Sequence, residues 1–331
     1  LQRARRYGVD SRALRPYLPY AAVRDGVLRT SEALYGVAIV RDAAARPWHP
    51  DVEAYDVLRA GRPIARFYLD MHPREGKYKH AAMFHLHEGV RGGDLPAACL
   101  VCNFPRPAGD DPGLLLFDDV TTFFHEFGHL LHHLFAGGKR FLAFSGIATE
   151  WDFVEVPSQL YEEWAWDPRV LQSFARHPAT GEPIPAELVQ RMRAAEEYGK
   201  GLQTLRQMTL AALALDYFTL DPTRGELDVT RVMLERKRAT DLVPHEEGGY
   251  VFTRFGHLHG YSAMYYTYMW SFAIAKDLFE RFEPDLLDRG VAAEYRERVL
   301  EPGGTRDASE LVGAFLGRET RLDAFERWLE R

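Results

Sequence analysis

The stretch "DDVTTFFHEFGHLLHHLF", residues 118–135, has two sides of opposite character. Val120, Phe123, Phe124, Phe127, Leu130, Leu131, Leu134 and Phe135 follow the i, i+3, i+4, i+7 spacing of a helix with one apolar face. At about 100° per residue these side chains fall in one arc of roughly 140°. Asp118 or Asp119 caps the start and Gly137-Gly138 ends it. The opposite arc holds Thr121, Thr122, His125, Glu126, His129, His132 and His133. A solvated helix face normally carries Lys, Arg and Glu. This one has no lysine or arginine before Lys139, so it is not an ordinary wet surface.

His125 and His129 are four apart, so their rings project from adjacent turns and meet at one point. Glu126, one residue on, lies beside that point and not on it. This is the H-E-x-x-H arrangement of two zinc ligands and a general base for attacking water. A catalytic zinc takes three protein ligands and leaves a position for water. The metzincin continuation, Gly three and His six residues after the second His, is excluded, because His132 and Phe135 stand there. His132 shares the ligand face, but three ligands along one straight helix do not wrap an ion tetrahedrally, so it reads as support or packing. A carboxylate from the next helix is the better source. Glu150, Asp152 and Glu155 in "TEWDFVEVPSQLYEEW", residues 149–164, are the candidates, and spacing does not choose between Glu150 and Glu155. Asp152 lies one turn before Glu155 and suits a bracing role. Glu162 and Glu163 read as solvated helix residues.

The 331 residues are 46% hydrophobic and 13% aromatic, enough for one large globular domain or two ordinary ones. The net charge of −7 and the short basic runs "RARR" and "ERKR" argue against nucleic-acid and anionic-membrane partners. Cys99 and Cys102 in "ACLVCNF" form a lone C-x-x-C without the second pair of a structural zinc site. In a strand, residues three apart face opposite sides, so the thiols do not converge. Two cysteines make no disulfide framework and fit a reducing compartment, so a cytoplasmic location is expected. No apolar run approaches a membrane span and no signal peptide is visible. The first residue is Leu1 and not Met, so the chain reads as a fragment or a processed product that could have lost a targeting segment.

Outward from the motif, residues 1–45 read as helical pieces with a turn around Pro16–Pro19. Val52–Leu58 and Ile64–Met71 alternate around Gly61 as a β-hairpin. Residues 72–94, rich in glycine and charge, read as a connection, and Leu95–Phe104 as a short buried strand. After the motif the pattern is almost wholly helical. Helices are expected over 148–166 (with Pro157 kinking it or lying in its first turn), 168–177, 185–218, 227–238, 261–282, 289–300 and 308–330. The class is mostly α with a small β-sheet (α+β), the sheet placed before the motif helix.

"FGHLHGYSAMYYTYMW", residues 255–270, is the second unusual stretch. Tyr261, Tyr265 and Tyr268 stand at i, i+4 and i+7, and His257 precedes them across Gly260. Tyrosines at such spacing pack well in a core. Amide hydrolysis, however, builds negative charge on the former carbonyl oxygen, and phenol and imidazole donors meet that charge.

Together "FHEFGHLLHHL", "TEWDFVEVPSQ", "FYLDMHPREGKYKHAA", "LVCNF", "ARHPATGEPIP" and "HLHGYSAMYYTYMW" resemble the thimet oligopeptidase family of zinc peptidases, which includes oligopeptidase A, peptidyl-dipeptidases and mitochondrial intermediate peptidase. The resemblance spans nearly the whole chain and implies a zincin-like catalytic fold holding one Zn2+ ion. It implies His125, His129 and Glu155 as ligands and Glu126 as the base. It implies Tyr261 and Tyr268 as transition-state donors, with His257 and Tyr265 contacting substrate. "HLHGY" has the shorter form of the intermediate-peptidase branch, one glycine fewer than in many members. Family members are about twice as long, and their mainly helical N-terminal half helps to wall a channel that admits short peptides. This chain therefore divides into a helical lead-in, 1–45, and the catalytic region, 46–331, with a channel wall left as exposed apolar surface. The implied activity is hydrolysis of internal bonds in short peptides, with Leu95–Phe104 offering its edge to the substrate backbone. The alternatives are release of C-terminal dipeptides, or a metal-bound half that is inactive without the other. Nothing in the sequence sets an oligomeric state.

Overall fold

The computed structural model describes residues 2–8, 11–223, 225, 227–242 and 248–331. Helices α1 (Gln2–Tyr7) and α2 (Tyr20–Tyr35) lead into five strands: β1 (Ala38–Arg41), β2 (Glu53–Arg59), β3 (Arg62–Asp70), β4 (Ala82–His87) and β5 (Ala97–Val101). The motif segment forms α3 (Phe117–Ala136), followed by α4 (Val156–Ala165), α5 (Pro168–Phe174), α6 (Ala186–Glu196), α7 (Lys200–Thr219) and α8 (Val229–Thr240). A single turn, α9 (His257–Gly260), precedes α10 (Thr267–Phe279), α11 (Arg289–Tyr295), α12 (Ala308–Leu316) and α13 (Asp323–Glu330). The expected class, mostly helical with a small sheet before the motif helix, is the observed one.

The sheet runs β1-β2-β3-β5-β4, with β3 and β5 parallel and the other neighbours antiparallel. The hairpin turns at Ala60 and Gly61, both with positive φ (48° and 74°), as a two-residue turn with right-handed strand twist demands. Ala65, Phe67 and Leu69 alternate inward along β3 and meet α3, where the Phe67 and Phe127 rings lie 5.7 Å apart. All eight apolar-arc residues of α3 are buried.

Several expectations need correction. Residues 1–45 hold β1 as well as helices, and the presumed connection 72–94 contains β4. β5 is bonded on both sides, so the strand at 95–104 has no free edge; the outer edge belongs to β4. The helix expected over 185–218 is two, broken at Gly199 with φ 81°. The one over 308–330 breaks at Gly317 with φ 70°. Pro157 does not kink a long helix, because α4 begins only at Val156 and the proline occupies its first turn. Cys99 and Cys102 are free and buried, and burial, with Asp70 nearby, pushes the Cys99 thiol up to about 12.

Two local devices position the site. Gly128 lets α4 approach α3: a Cβ there would lie 2.6 Å from Ser158 Cα and 2.7 Å from Pro157 O. The second device is Asp70 at the end of β3. Its carboxylate accepts from Arg74 (2.6 and 2.7 Å) and Trp48 Nε1 (3.1 Å), and Lys77 Nζ lies 3.0 Å away. Lys77 also donates to the carbonyls of Asp70, His72 and Cys102, which pins the loop that feeds β4.

Two predictions follow from these contacts. Gly128→Ala forces the α3–α4 crossing apart and costs about 1–3 kcal/mol, read by equilibrium denaturation. Burial opposes ionisation of Asp70, but its partners outweigh burial and hold its pKa at about 2, below the ordinary 3.8. The folded value is depressed, so the stabilisation is present above pH 4 and disappears as pH falls toward 2. Asp70→Asn therefore loses roughly 2 kcal/mol at pH 7, and its deficit relative to wild type shrinks to about half at pH 3.

Candidate metal centre

Helix α3 carries His125 and His129 on adjacent turns, with ring centroids 5.0 Å apart. Glu155 stands immediately before α4, and the Gly128 crossing brings it against both rings. Its Oε2 lies 3.2 Å from His125 Nε2 and 3.1 Å from His129 Nε2. Among the described residues this is the one group of three His, Cys, Asp or Glu donors, all within 4.8 Å of one another. Tetrahedral ligation with bonds of about 2.0–2.1 Å sets neighbouring donors roughly 3.4 Å apart, so two imidazole nitrogens and one carboxylate oxygen fit an ion such as Zn2+. Of the three acids left open by spacing, only Glu155 reaches the histidines. Glu150 accepts from the Ala308 backbone N–H at 2.7 Å, and Asp152 from the Tyr266 hydroxyl at 2.9 Å, so Asp152 braces no ligand.

The bracing acid is Glu162. Its Oε1 accepts from His125 Nδ1 at 2.6 Å, which leaves Nε2 facing Glu155. Glu162 is thus no idle solvated residue. It lies seven residues after Glu155, two turns along the same face, and that spacing was the available signal. Glu163 is not solvated either: it is buried and paired with Lys276 and Arg193. His129 Nδ1, in contrast, has no hydrogen-bond partner among the described residues.

Burial opposes a charged His125, but the bonds to Glu155 and Glu162 outweigh it and raise its pKa well above 6.5. Burial likewise opposes a charged Glu155, and the two histidines reverse that and hold it well below the carboxylate range. These opposed shifts describe a pre-formed charge arrangement that a divalent cation can replace. His132 is buried with both ring nitrogens unpartnered among the described residues, and burial pushes its pKa down to about 3. It is a neutral packing residue. His133 Nε2 bonds the His87 carbonyl at 3.1 Å and ties α3 to β4.

The tyrosine segment closes the other side. Tyr261 ends α9, Ser262 adopts φ 51°, and a 3-10 turn over Ser262–Tyr266 leads into α10. Tyr261 donates to Glu155 Oε1 at 2.6 Å, and the Tyr261 and Tyr268 rings lie 5.4 Å apart. The His257 ring sits 5.6 Å from each of them. Tyr265 faces away from the histidines and donates to Gln207 Oε1 at 2.9 Å. Burial, then the charge of Glu155, raises both the Tyr261 and Tyr268 pKa values, so the phenols remain donors. A cleft of about 940 Å³ is lined by Glu126, the three metal-fitting residues, His257, Tyr261, Tyr268 and the start of β4.

The whole chain, residues 1–331, matches the model of Peptidase family M3. The chain belongs to peptidase family M3. It is 34% identical to oligopeptidase A of Escherichia coli (strain K12) over 98% of its own length and 49% of that protein's. It is 34% identical to the thimet-like oligopeptidase of Dictyostelium discoideum, covering 96% of this chain and 49% of that one. It is 35% identical to the dipeptidyl carboxypeptidase of Salmonella typhimurium, covering 97% and 48%. The chain thus spans about half the length of the curated relatives it matches. Its fold is shared with PZ peptidase A bound to an inhibitor (14% identity, TM-score 0.55, 79% of this chain and 42% of that one). It is shared also with BsuCP (13% identity, TM-score 0.53, 97% and 60%). Membership of family M3 implies a divalent metal.

Glu162→Gln weakens that metal's hold on His125. Metal affinity, measured by competition with a chelator, is expected to fall roughly 10–100-fold while thermal stability of the metal-free chain changes little.

Proposed function

We propose that the chain is the catalytic half of a zinc oligopeptidase that hydrolyses internal bonds of short peptides. The observation that carries this reading is the cluster of His125, His129 and Glu155 with Glu126 and two phenols around one cleft. Zn2+ held by the three ligands would polarise the scissile carbonyl and make water a nucleophile near neutral pH. Glu126, one residue from a ligand and only 9% exposed, takes the proton from the attacking water and delivers it to the leaving amine. The hydroxyls of Tyr268 and Tyr261 donate to the oxygen that becomes negative as water adds. His257, against both phenols, and Tyr265, behind them, contact the substrate.

Ala82, Met83 and Phe84 of β4 line the cleft, and β4 is the sheet's outer strand. An extended peptide binds along that edge through its backbone, so chain geometry is read before side chains. No described helix is long and apolar enough to cross a membrane. The two buried thiols fit a reducing cytoplasm.

A second reading is release of C-terminal dipeptides, supported by the 35% identity to a dipeptidyl carboxypeptidase. Amidating the C-terminus of a test peptide separates the two, since only internal cleavage tolerates it. The central test is zinc stoichiometry beside cleavage of a quenched fluorescent peptide, with and without chelator. One zinc and chelator-sensitive cleavage support a working half; one zinc without cleavage means that the other half completes the site. Glu126→Gln is expected to keep zinc and lose about 10²–10⁴-fold in turnover. Undiminished cleavage at equal zinc content would remove Glu126 from the mechanism.

A further inference from the structure

His257 and Tyr268 line the cleft and also a second cavity of about 480 Å³ on their far side. That size lies within the ~300–1,000 Å³ range of small-ligand sites. Helix α4 contributes Gln159 and Glu162 to it, α7 contributes Gln203 and Gln207, and Phe272 and Trp328 form an apolar wall.

Gln159 sets the polarity of the recess. Its Nε2 donates to the Tyr268 carbonyl at 2.9 Å, so its Oε1 is an acceptor. That oxygen is buried and has no hydrogen-bond partner among the described residues. A buried acceptor left unpaired keeps its desolvation cost until a donor reaches it. Glu162, one turn along α4, faces the same cavity with its carboxylate. The neighbouring cations are committed elsewhere. Lys200 donates to the Trp328 carbonyl and lies 3.6 Å from Glu197, while Arg193 and Lys276 both pair with Glu163. The adjoining recess, about 330 Å³, adds the carboxylates of Glu196, Glu197 and Glu283.

We propose that this cavity is a substrate subsite for a basic side chain, lysine or arginine. The terminal N–H groups bind Gln159 Oε1 and Glu162, and the methylenes lie against Phe272 and Trp328. The proposal rests on the peptidase reading and deepens it, by making the preferred peptides ones with a basic residue at a fixed distance from the scissile bond. The amide nitrogens of Gln203 and Gln207 would instead suit a carboxylate, so an acidic side chain is the competing occupant.

The test uses zinc-loaded Glu126→Gln chain, to suppress turnover, titrated calorimetrically with alanine pentapeptides. Lysine, norleucine or glutamate is placed at each position in turn. One position is expected to bind lysine about tenfold more tightly than norleucine, with glutamate weakest. Adding Gln159→Met should narrow the lysine-to-norleucine ratio below about threefold, and adding Gln159→Glu should widen it. The proposal is overturned by the absence of any lysine-preferring position, by a preference for glutamate, or by absence of peptide binding. It is also overturned if Gln159→Met weakens lysine and norleucine peptides equally, which marks a merely structural role. Cleavage of the all-alanine peptide by the unsubstituted chain reports separately on the peptidase reading. Cleavage without a lysine preference therefore sinks the subsite alone.

Discussion

A carboxylate with 1% exposure, Glu155, lies between two imidazoles, and much of the molecule is arranged to tolerate it. Burying a charge without compensation is prohibitive. Here Oε2 meets His125, His129 and the Ser158 hydroxyl, and Oε1 accepts from Tyr261. Those partners come from α3, α4 and the segment between α9 and α10. Each element must therefore approach within hydrogen-bond distance of one point. Gly128 makes the first approach sterically possible. Gln159, bonded to the Tyr268 carbonyl, and Thr267, bonded to the Trp151 carbonyl at 2.7 Å, hold the third element against the second.

The same arrangement explains what the sequence made legible. His125, Glu126 and His129 were readable because a helix converts spacing into direction, and α3 is a regular helix. The α+β class was readable from periodicity over long segments. Glu155 was reachable from spacing only as one of a group, since its position depends on turns that carry no period; the family resemblance singled it out. Glu162 was misread because a charged residue on a helix is usually wet, and only the close α3–α4 crossing turns it toward His125. β4 was hidden because its sequence, "AMFHLH", puts histidines where an alternating strand would be apolar, on an edge facing a cleft. The breaks at Gly199 and Gly317 were hidden because one glycine inside a helical pattern can be tolerated or can end it.

The half-length of the chain relative to its matches has a visible counterpart in α7. Met208, Leu215 and Phe218 on that helix are each about half exposed. Large apolar side chains grouped on one helix do not suit a surface in contact with water. Helix α7 also carries Gln207, the partner of Tyr265, so the helix that borders the tyrosine cluster is the one with this incompletely covered side.

The site's two sides are encoded at different ranges along the chain. His129 and Glu155 are 26 residues apart, and the connection between them closes a short loop at small entropic cost. Tyr261 reaches Glu155 across 106 residues, after α5 to α8 have intervened. Assembly is therefore asymmetric in time: the metal-fitting helix pair is a local unit, while the phenols dock only when the distant helical region has collapsed onto it. Opening follows the reverse order. A fluctuation that releases α7 and the tyrosine segment leaves His125, His129 and Glu155 together, so metal retention and a complete catalytic surface are separable properties of this fold.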